Sequence, residues 1–216
     1  MTFSLNEIEA TGKRAARGAG HEWGIAEEAG KAARWLTAHG LPGPELLAEL
    51  LTQIEGEGYA ELAPVSAEGV WQARSGRLCP LIAGAALSDR AAEIAAGRVI
   101  ETGPIAFPLL LAPYVACGAR PHGVVFELTW LGVTLALAPD GLAIAGAEAA
   151  LSARTAGGVK CRVAAGVSVP PRAARAGRAV DAETWSRLST FAHRTLAPAT
   201  EASRLAGAGA GLTDND

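Results

Sequence analysis

The chain has 216 residues, of which 50% are hydrophobic and 19% are charged, and its net charge is −3. This composition excludes a disordered chain and gives no basic footprint for nucleic acid. The longest apolar run, residues 105–119, is interrupted by Pro108 and Pro113 and is shorter than the roughly 20 residues of a membrane-spanning helix. We therefore expect neither nucleic acid nor a membrane among its partners.

Three cysteines, Cys79, Cys117 and Cys161, are an odd number and lie far apart, which excludes a disulfide framework. Free thiols are typical of a reducing compartment. Because the first residues also lack an apolar stretch of signal-peptide length, we expect a cytoplasmic protein. No CxxC or HExxH spacing occurs, so the sequence predicts no metal site, and it does not identify a cofactor.

The first part of the chain is predicted to be helical. Ser4 and Glu7 have the spacing of a capping box, and a helix is predicted over Leu5 to Arg17. A second helix is predicted over Gly24 to Ala38, and a third from Pro44. The apolar faces of the first two helices are rich in small residues, so we expect them to pack closely as a hairpin.

Strand patterns follow from residue 65. Residues 69–74 and 78–82 are predicted to be short strands, and Ser88 is predicted to cap a short helix over 89–96. Residues 107–116 fit a buried helix or a strand, because a short apolar run has no decisive period. The clear alternation over 123–146, with turns at 132 and 139–141, predicts a three-stranded antiparallel meander.

A further strand is predicted at 159–163, and Asp181 is predicted to cap a long last helix. The segregation of helical and alternating patterns predicts an α+β fold: a helical hairpin packed with a mainly antiparallel sheet, over residues 69–165, and a long C-terminal helix. We divide the chain into a helical region, 1–63, and a sheet region with the C-terminal helix and a Gly-rich tail, 64–216. The two regions are expected to form one compact unit.

The segments SLNEIEATGKRAARGAGHEWGIAEEAGKAARWL (4–36) and SRLAGAGAGLTDND (203–216) resemble a proteobacterial family that is catalogued only as a domain of unknown function. The resemblance implies a stand-alone bacterial protein of this length and brings no activity, cofactor or site residue. A fainter likeness is to the malate and lactate dehydrogenases that lack a Rossmann fold, whose opening helices end in Ser-His-Gly. Here His39-Gly40 follows an alanine and comes too early, so we interpret that likeness as chance.

Cys117, Arg120 and His122 form the densest cluster of reactive residue types, just before the best predicted strand. Since nearby positive charge lowers the pKa of a thiol, Cys117 could act as a nucleophile, with His122 as a catalytic partner and Arg120 as a substrate-binding group. The same residues also fit a purely structural interpretation, a buried cysteine followed by a turn. That interpretation is the commoner one for a free cysteine.

A second cluster, which contains His21, Trp23, Glu27 and Glu28, lies at the start of the second helix. There Glu27 or Glu28 could act as a general base, and Trp23 could line a substrate pocket. The structural alternative is an ordinary solvated helix terminus with acidic side chains.

In the Gly-rich tail, Arg204 before GAGAG could bind an anion with backbone N–H groups. The alternative there is a flexible end. From its flanking residues we expect the tail, 203–216, to fold onto the body.

These observations leave two classes of function. The first is a small-molecule enzyme, or an enzyme subunit, with an acid–base or thiol site. The second is a non-catalytic binding or assembly protein that forms a homo- or hetero-oligomer through its Ala/Gly helix pair and sheet. The first class requires that its candidate residues converge on one concave pocket. These candidates are catalytic Cys117, His122 and Glu28, with Arg120, Trp23 and Arg204 for binding the substrate.

Overall fold

Helices make up the first part of the chain, and most of the strands follow them. A computed structural model describes residues 1–139, 141–170 and 175–196. The α-helices of these residues are α1 (Leu5–Gly18), α2 (Trp23–Ala38), α3 (Gly43–Gln53), α4 (Tyr59–Leu62), α5 (Pro80–Asp89), α6 (Ala91–Ala95), α7 (Ala112–Ala119) and α8 (Ala182–His193). The 3-10 helices are Pro108–Leu111, Arg120–His122 and Glu148–Ser152.

The strands of the same residues are β1 (Thr2–Ser4), β2 (Val70–Trp71), β3 (Ile100–Thr102), β4 (Ile105–Ala106), β5 (Phe126–Trp130), β6 (Val133–Ala138), β7 (Gly141–Gly146), β8 (Thr155–Ala156), β9 (Lys160–Val163) and β10 (Gly177–Ala179). Six of them form one sheet in the order β2-β3-β9-β5-β6-β7, in which only the β2–β3 pair is parallel. The pairs β1–β10 and β4–β8 are separate antiparallel ribbons. The predicted α+β fold and its mainly antiparallel sheet are confirmed.

The N-terminal hairpin forms as its sequence predicts. Ser4 caps α1 by accepting a hydrogen bond from the Glu7 backbone, and the Glu7 carboxylate accepts one from the Ser4 N–H at 2.8 Å. Small residues let α1 and α2 approach closely, because a Cβ added to Gly30 would lie 2.5 Å from the carbonyl oxygen of Glu9. Because the backbones of α1 and α2 are in contact here, only glycine fits at position 30.

The predicted meander is also confirmed, in β5, β6 and β7. Leu128 pairs with Leu135, which in turn pairs with Ile144. The first turn of the meander consists of Leu131 and Gly132, both with positive φ (43° and 77°). Such a turn has the twist that a two-residue hairpin needs. The predicted strand at 159–163 is β9, which pairs with β5 and β3.

The segment 78–82 is not the strand that its apolar residues suggested. Leu78 makes one bridge to Ile105, and α5 then begins at Pro80. Proline suits the first helical position, where its fixed φ is helical and its missing N–H would have no partner within the helix. The predicted cap at Ser88 is also wrong, because α5 continues through Ser88 and Arg90 separates it from α6.

The ambiguous segment 107–116 is helical, forming a 3-10 turn that leads into α7. It is buried on all sides, which explains why its sequence has no amphipathic period. At the other end of the chain, Asp181 caps α8 as predicted. The helix has 12 residues, so the long C-terminal helix is not seen, and the Gly-rich tail lies outside the described residues.

One hydrophobic core draws residues from the helices and from the sheet. Within it α7 contacts helices α2 and α5 and strands β5 and β6. Helix α2 also packs against α1, α3 and α5. This arrangement sets α2 and α7 side by side, and the cleft described next lies between them.

Candidate functional site

A cleft of about 320 Å³ lies between α2 and α7, and we call it the α2–α7 cleft. Helix α2 contributes residues at positions i, i+3, i+4 and i+7, which share one face of a helix. The polar or aromatic side chains that line it are Glu28, Lys31, Trp35, Tyr114, Cys117 and Arg120. The apolar lining residues are Ala32, Pro113, Ala116 and Pro139.

The structure brings together three of the residues that the sequence selected: Glu28, Cys117 and Arg120. Cys117 is at the end of α7, and Arg120 follows one turn later at the start of a 3-10 turn. Glu28 comes from the facing helix, so the three residues converge only through the packing of α2 on α7.

Cys117 differs from the other two cysteines in its exposure. All three thiols are free, but Cys79 and Cys161 are buried. Burial raises the pKa of the Cys79 thiol to about 11 and that of Cys161 to about 12. Cys117 is therefore the cysteine whose thiol a reagent or a ligand can reach in the folded protein.

Two cations stand at the cleft. The ammonium of Lys31 lies 2.8 Å from a carboxylate oxygen of Glu28 and 3.2 Å from one of Glu27. The hydrogen bond to Glu28 is the main cause of a raised pKa at Lys31, which therefore stays charged. The guanidinium of Arg120 donates to the carbonyl oxygen of Pro139 at 3.1 Å.

Tyr114 is the site residue that the sequence interpretation missed. Its side chain is only 4% exposed, and its ring covers Gly84 of α5, where an added Cβ would lie 2.5 Å from a ring carbon. Its hydroxyl is buried and has no hydrogen-bond partner among the described residues. Burial raises the pKa of Tyr114 well above its usual value, and the nearby Cys79 and Glu28 contribute to the rise.

Two further selected residues, Trp23 and His122, lie away from the cleft. Trp23 is 54% exposed at the start of α2, with Arg17 and Lys13 over its ring at 5.3 and 5.9 Å. His122 is exposed and is not among the described residues that line the cleft. Arg204 lies outside the described residues.

A second depression, of about 400 Å³, adjoins the α2–α7 cleft and shares Lys31, Trp35 and Arg120 with it. It adds Arg34 and His39, whose ring stacks on Trp35 with the centroids 3.8 Å apart. Nowhere in the described part of the chain do three or more His, Cys, Asp or Glu residues form a group that could hold a metal ion. The helices of that part include none with the length and apolarity to cross a membrane.

Comparison with known proteins finds one family model that is similar to the N-terminal part. Residues 3–79 match the model of a family described as "Protein of unknown function (DUF3726)", which confirms the resemblance of that part to a family of unknown function. The C-terminal segment of the resemblance, 203–216, lies outside the match. No curated protein matches the chain.

Among solved structures, the malate dehydrogenase from Entamoeba histolytica is 13% identical to this chain, with a TM-score of 0.46. The alignment covers 67% of this chain and 45% of the dehydrogenase. The chain thus spans less than half the length of that enzyme. A likeness of this size establishes neither a shared fold nor a shared activity.

Proposed function

We propose that this chain is a small-molecule enzyme, or a subunit of one, whose substrate binds in the α2–α7 cleft next to the thiol of Cys117. One observation carries the proposal: Cys117, Arg120 and Glu28, selected for their chemistry, line the same cleft. A concave, mostly apolar site with a few polar groups is the usual form of a small-molecule site.

In this proposal Cys117 is the nucleophile, because it is the one exposed thiol among the three. Arg120, which follows Cys117 by one turn and lines the same cleft, is the substrate-binding group. Glu28 is the acid–base group, and its contact with Lys31 fixes the place of its carboxylate. Because all three thiols are unpaired, we place the activity in the reducing cytoplasm.

The alternative, an assembly protein that uses the Ala/Gly helix pair as an interface, has less support. The small-residue faces of α1 and α2 already pack against each other within the chain, with contacts as close as that of Gly30 on Glu9. An oligomer interface would have to lie on another surface.

The test is selective alkylation. Native protein is treated with iodoacetamide at neutral pH, and the modified peptides are followed by mass spectrometry, with denatured protein as the reference in which all three thiols react. We expect Cys117 to be modified first, while Cys79 and Cys161 react only after denaturation. A Cys117 that reacts no faster than the buried thiols would contradict the assignment.

A metabolite thermal-shift screen supplies the second step. A ligand at 100 times its Kd adds about 2.7 kcal/mol of stability, and a substrate of this site should also slow the alkylation of Cys117. Arg120→Ala should abolish both effects, whereas Arg187→Ala, which removes an exposed arginine of α8, should leave them unchanged. A stabilising metabolite that leaves the alkylation rate unaltered would place its binding site elsewhere.

A further inference from the structure

A second and larger groove, of about 570 Å³, lies between α1 and α8, and we call it the α1–α8 groove. The rings of Phe3 and Trp185 stack in its wall with their centroids 3.5 Å apart. The side chains of Ala10, Ala192 and Leu196 add further apolar surface. None of these residues lines the α2–α7 cleft, so the groove is a separate feature of the surface.

One nearly buried hydroxyl of this groove has no hydrogen-bond partner. Thr11 lines the groove, is only 7% exposed, and makes no side-chain hydrogen bond with the described residues. Other threonines inside helices donate to the carbonyl oxygen four residues earlier, at 2.8–2.9 Å: Thr37, Thr52 and Thr190. Among the described residues only Arg77 Nε and Tyr114 Oη are unpartnered and shut off from solvent, so the Thr11 hydroxyl opens into the groove that Thr11 lines. Since buried polar groups are almost always hydrogen-bonded, this hydroxyl indicates a partner that binds there.

The basic side chains of the groove have no acidic partner among the described residues. Arg14 is exposed, and its guanidinium donates only to the Ala10 carbonyl oxygen of its own helix, at 3.3 Å. His193, the last residue of α8, makes no ion pair with the residues that the structure describes. The one carboxylate in the described lining, Glu7, is held by the α1 cap, where it accepts from the Ser4 N–H at 2.8 Å. The guanidinium of Arg14 is therefore open to an acidic group of an occupant.

These groups together fit a short peptide. The hydroxyls of Thr11 and Ser189 match the N–H and C=O groups of a peptide backbone, and the guanidinium of Arg14 matches a carboxylate side chain. The apolar wall around the Phe3–Trp185 pair matches an aliphatic side chain. We therefore expect the occupant to be a peptide segment in which an apolar residue lies next to acidic ones.

The chain carries such a segment shortly after the groove. Leu196 lines the groove, is 60% exposed, and is followed directly by residues 197–216, which lie outside the described residues. In their sequence Leu212 is followed by Asp214 and Asp216. The 16 positions from 196 to 212 reach up to about 50 Å when extended, whereas the 12 residues of α8 span about 18 Å. A segment attached at this distance has an effective concentration on the order of millimolar, far above that of a separate partner.

We infer that the Gly-rich tail, 203–216, binds in the α1–α8 groove of its own chain, with Leu212 in the apolar part and its acidic residues at Arg14. The tail then supplies a peptide partner for the Thr11 hydroxyl and a carboxylate for the guanidinium. This inference does not depend on the function that is proposed for the α2–α7 cleft.

The experiment is photocrosslinking within the full chain. The photoreactive amino acid p-benzoylphenylalanine replaces Leu212, dilute protein is irradiated, and the joined peptides are identified by mass spectrometry. We expect crosslinks within one molecule, from position 212 to residues 3–14 or 185–196. The same photoreactive residue in place of Glu68, an exposed position that does not line the groove, is the control and should give none of these crosslinks.

Charge reversal tests the ionic contact. Arg14→Glu should lower the yield of the groove crosslinks about 2- to 5-fold, the effect of an exposed ion pair. Arg187→Glu changes an arginine of α8 that pairs with Glu183 and does not line the groove, so it should leave the yield unchanged. Replacing both Asp214 and Asp216 by arginine should also lower the yield, and combining this change with Arg14→Glu should restore it.

Three outcomes would overturn the inference. Crosslinks to other surfaces, or none at all, would remove the groove as the binding place of the tail. Crosslinks between two copies, recognised by mixing isotope-labelled with unlabelled protein, would contradict binding within one chain. A yield that Arg14→Glu leaves unchanged, or that the combined charge reversal does not restore, would remove the ionic contact at Arg14.

Discussion

Replacing Tyr114 by phenylalanine should stabilise the ligand-free protein. The substitution removes one oxygen that is buried without a partner and keeps the ring that packs on Gly84. An unsatisfied buried polar group costs about 1–3 kcal/mol of folding free energy. We expect Tyr114→Phe to recover about 1–2 kcal/mol. For a chain of this size each kcal/mol corresponds to about 2–4 °C in Tm, so Tm should rise by about 2–8 °C.

The assay is thermal and urea denaturation of ligand-free protein, followed by circular dichroism. Tyr59→Phe removes a hydroxyl from an exposed side chain, and its effect should stay within about 0.5 kcal/mol. A loss of 1 kcal/mol or more in Tyr114→Phe would refute the reasoning, because it would mean that the hydroxyl has a structural partner.

Three further predictions concern helix packing, a helix cap and a buried thiol. Gly84→Ala should lower stability by about 1–3 kcal/mol in the same urea titration, because its Cβ would lie 2.5 Å from the Tyr114 ring. The control is Gly24→Ala, in α2 with open space around it, which should be neutral or stabilising. Ser4→Ala should cost about 1 kcal/mol through loss of the α1 cap, and an unchanged urea midpoint would contradict the role of that cap. The pKa of Cys161 is raised to about 12 in the folded protein, whereas the thiol of the unfolded chain ionises near pH 9. Because ionisation above pH 9 therefore favours the unfolded chain, this thiol should lower the free energy of unfolding by about 1.4 kcal/mol per pH unit. Cys161→Val should reduce the loss of stability between pH 9 and 11. If the variant and the wild type lose stability equally over this range, burial of the Cys161 thiol is not the cause of the loss.

Local signals made much of the fold predictable from sequence. The cap at Ser4 and the alternation along β5 and β6 depend on residues close in the chain. The first pattern is typical only of a helix start, and the second only of a strand. The strand predicted at 78–82 failed because a fully buried segment has no polar face to reveal its period. There Pro80 was the informative residue, as the first residue of a helix.

The candidate site was only partly predictable, because local patterns do not reveal which segments pack against each other. Cys117 and Arg120 could be selected from their residue types alone, but Tyr114 has meaning only once residues 112–119 are known to be helical, which puts it one turn before Cys117 on the cleft side. The pairing of that helix with Glu28 on α2 is a tertiary contact. No spacing in the sequence encodes it.

The two walls of the α2–α7 cleft come from different parts of the chain. The wall with Glu28, Lys31 and Trp35 lies within residues 3–79, the part that matches the family model, whereas the wall with Tyr114 and Cys117 lies beyond it. The α2 wall can therefore be retained in a protein whose facing helix has a different sequence. In a protein alike only over the first segment, the wall with Glu28, Lys31 and Trp35 would have a counterpart, while the residues at the positions of Tyr114 and Cys117 would be free to differ.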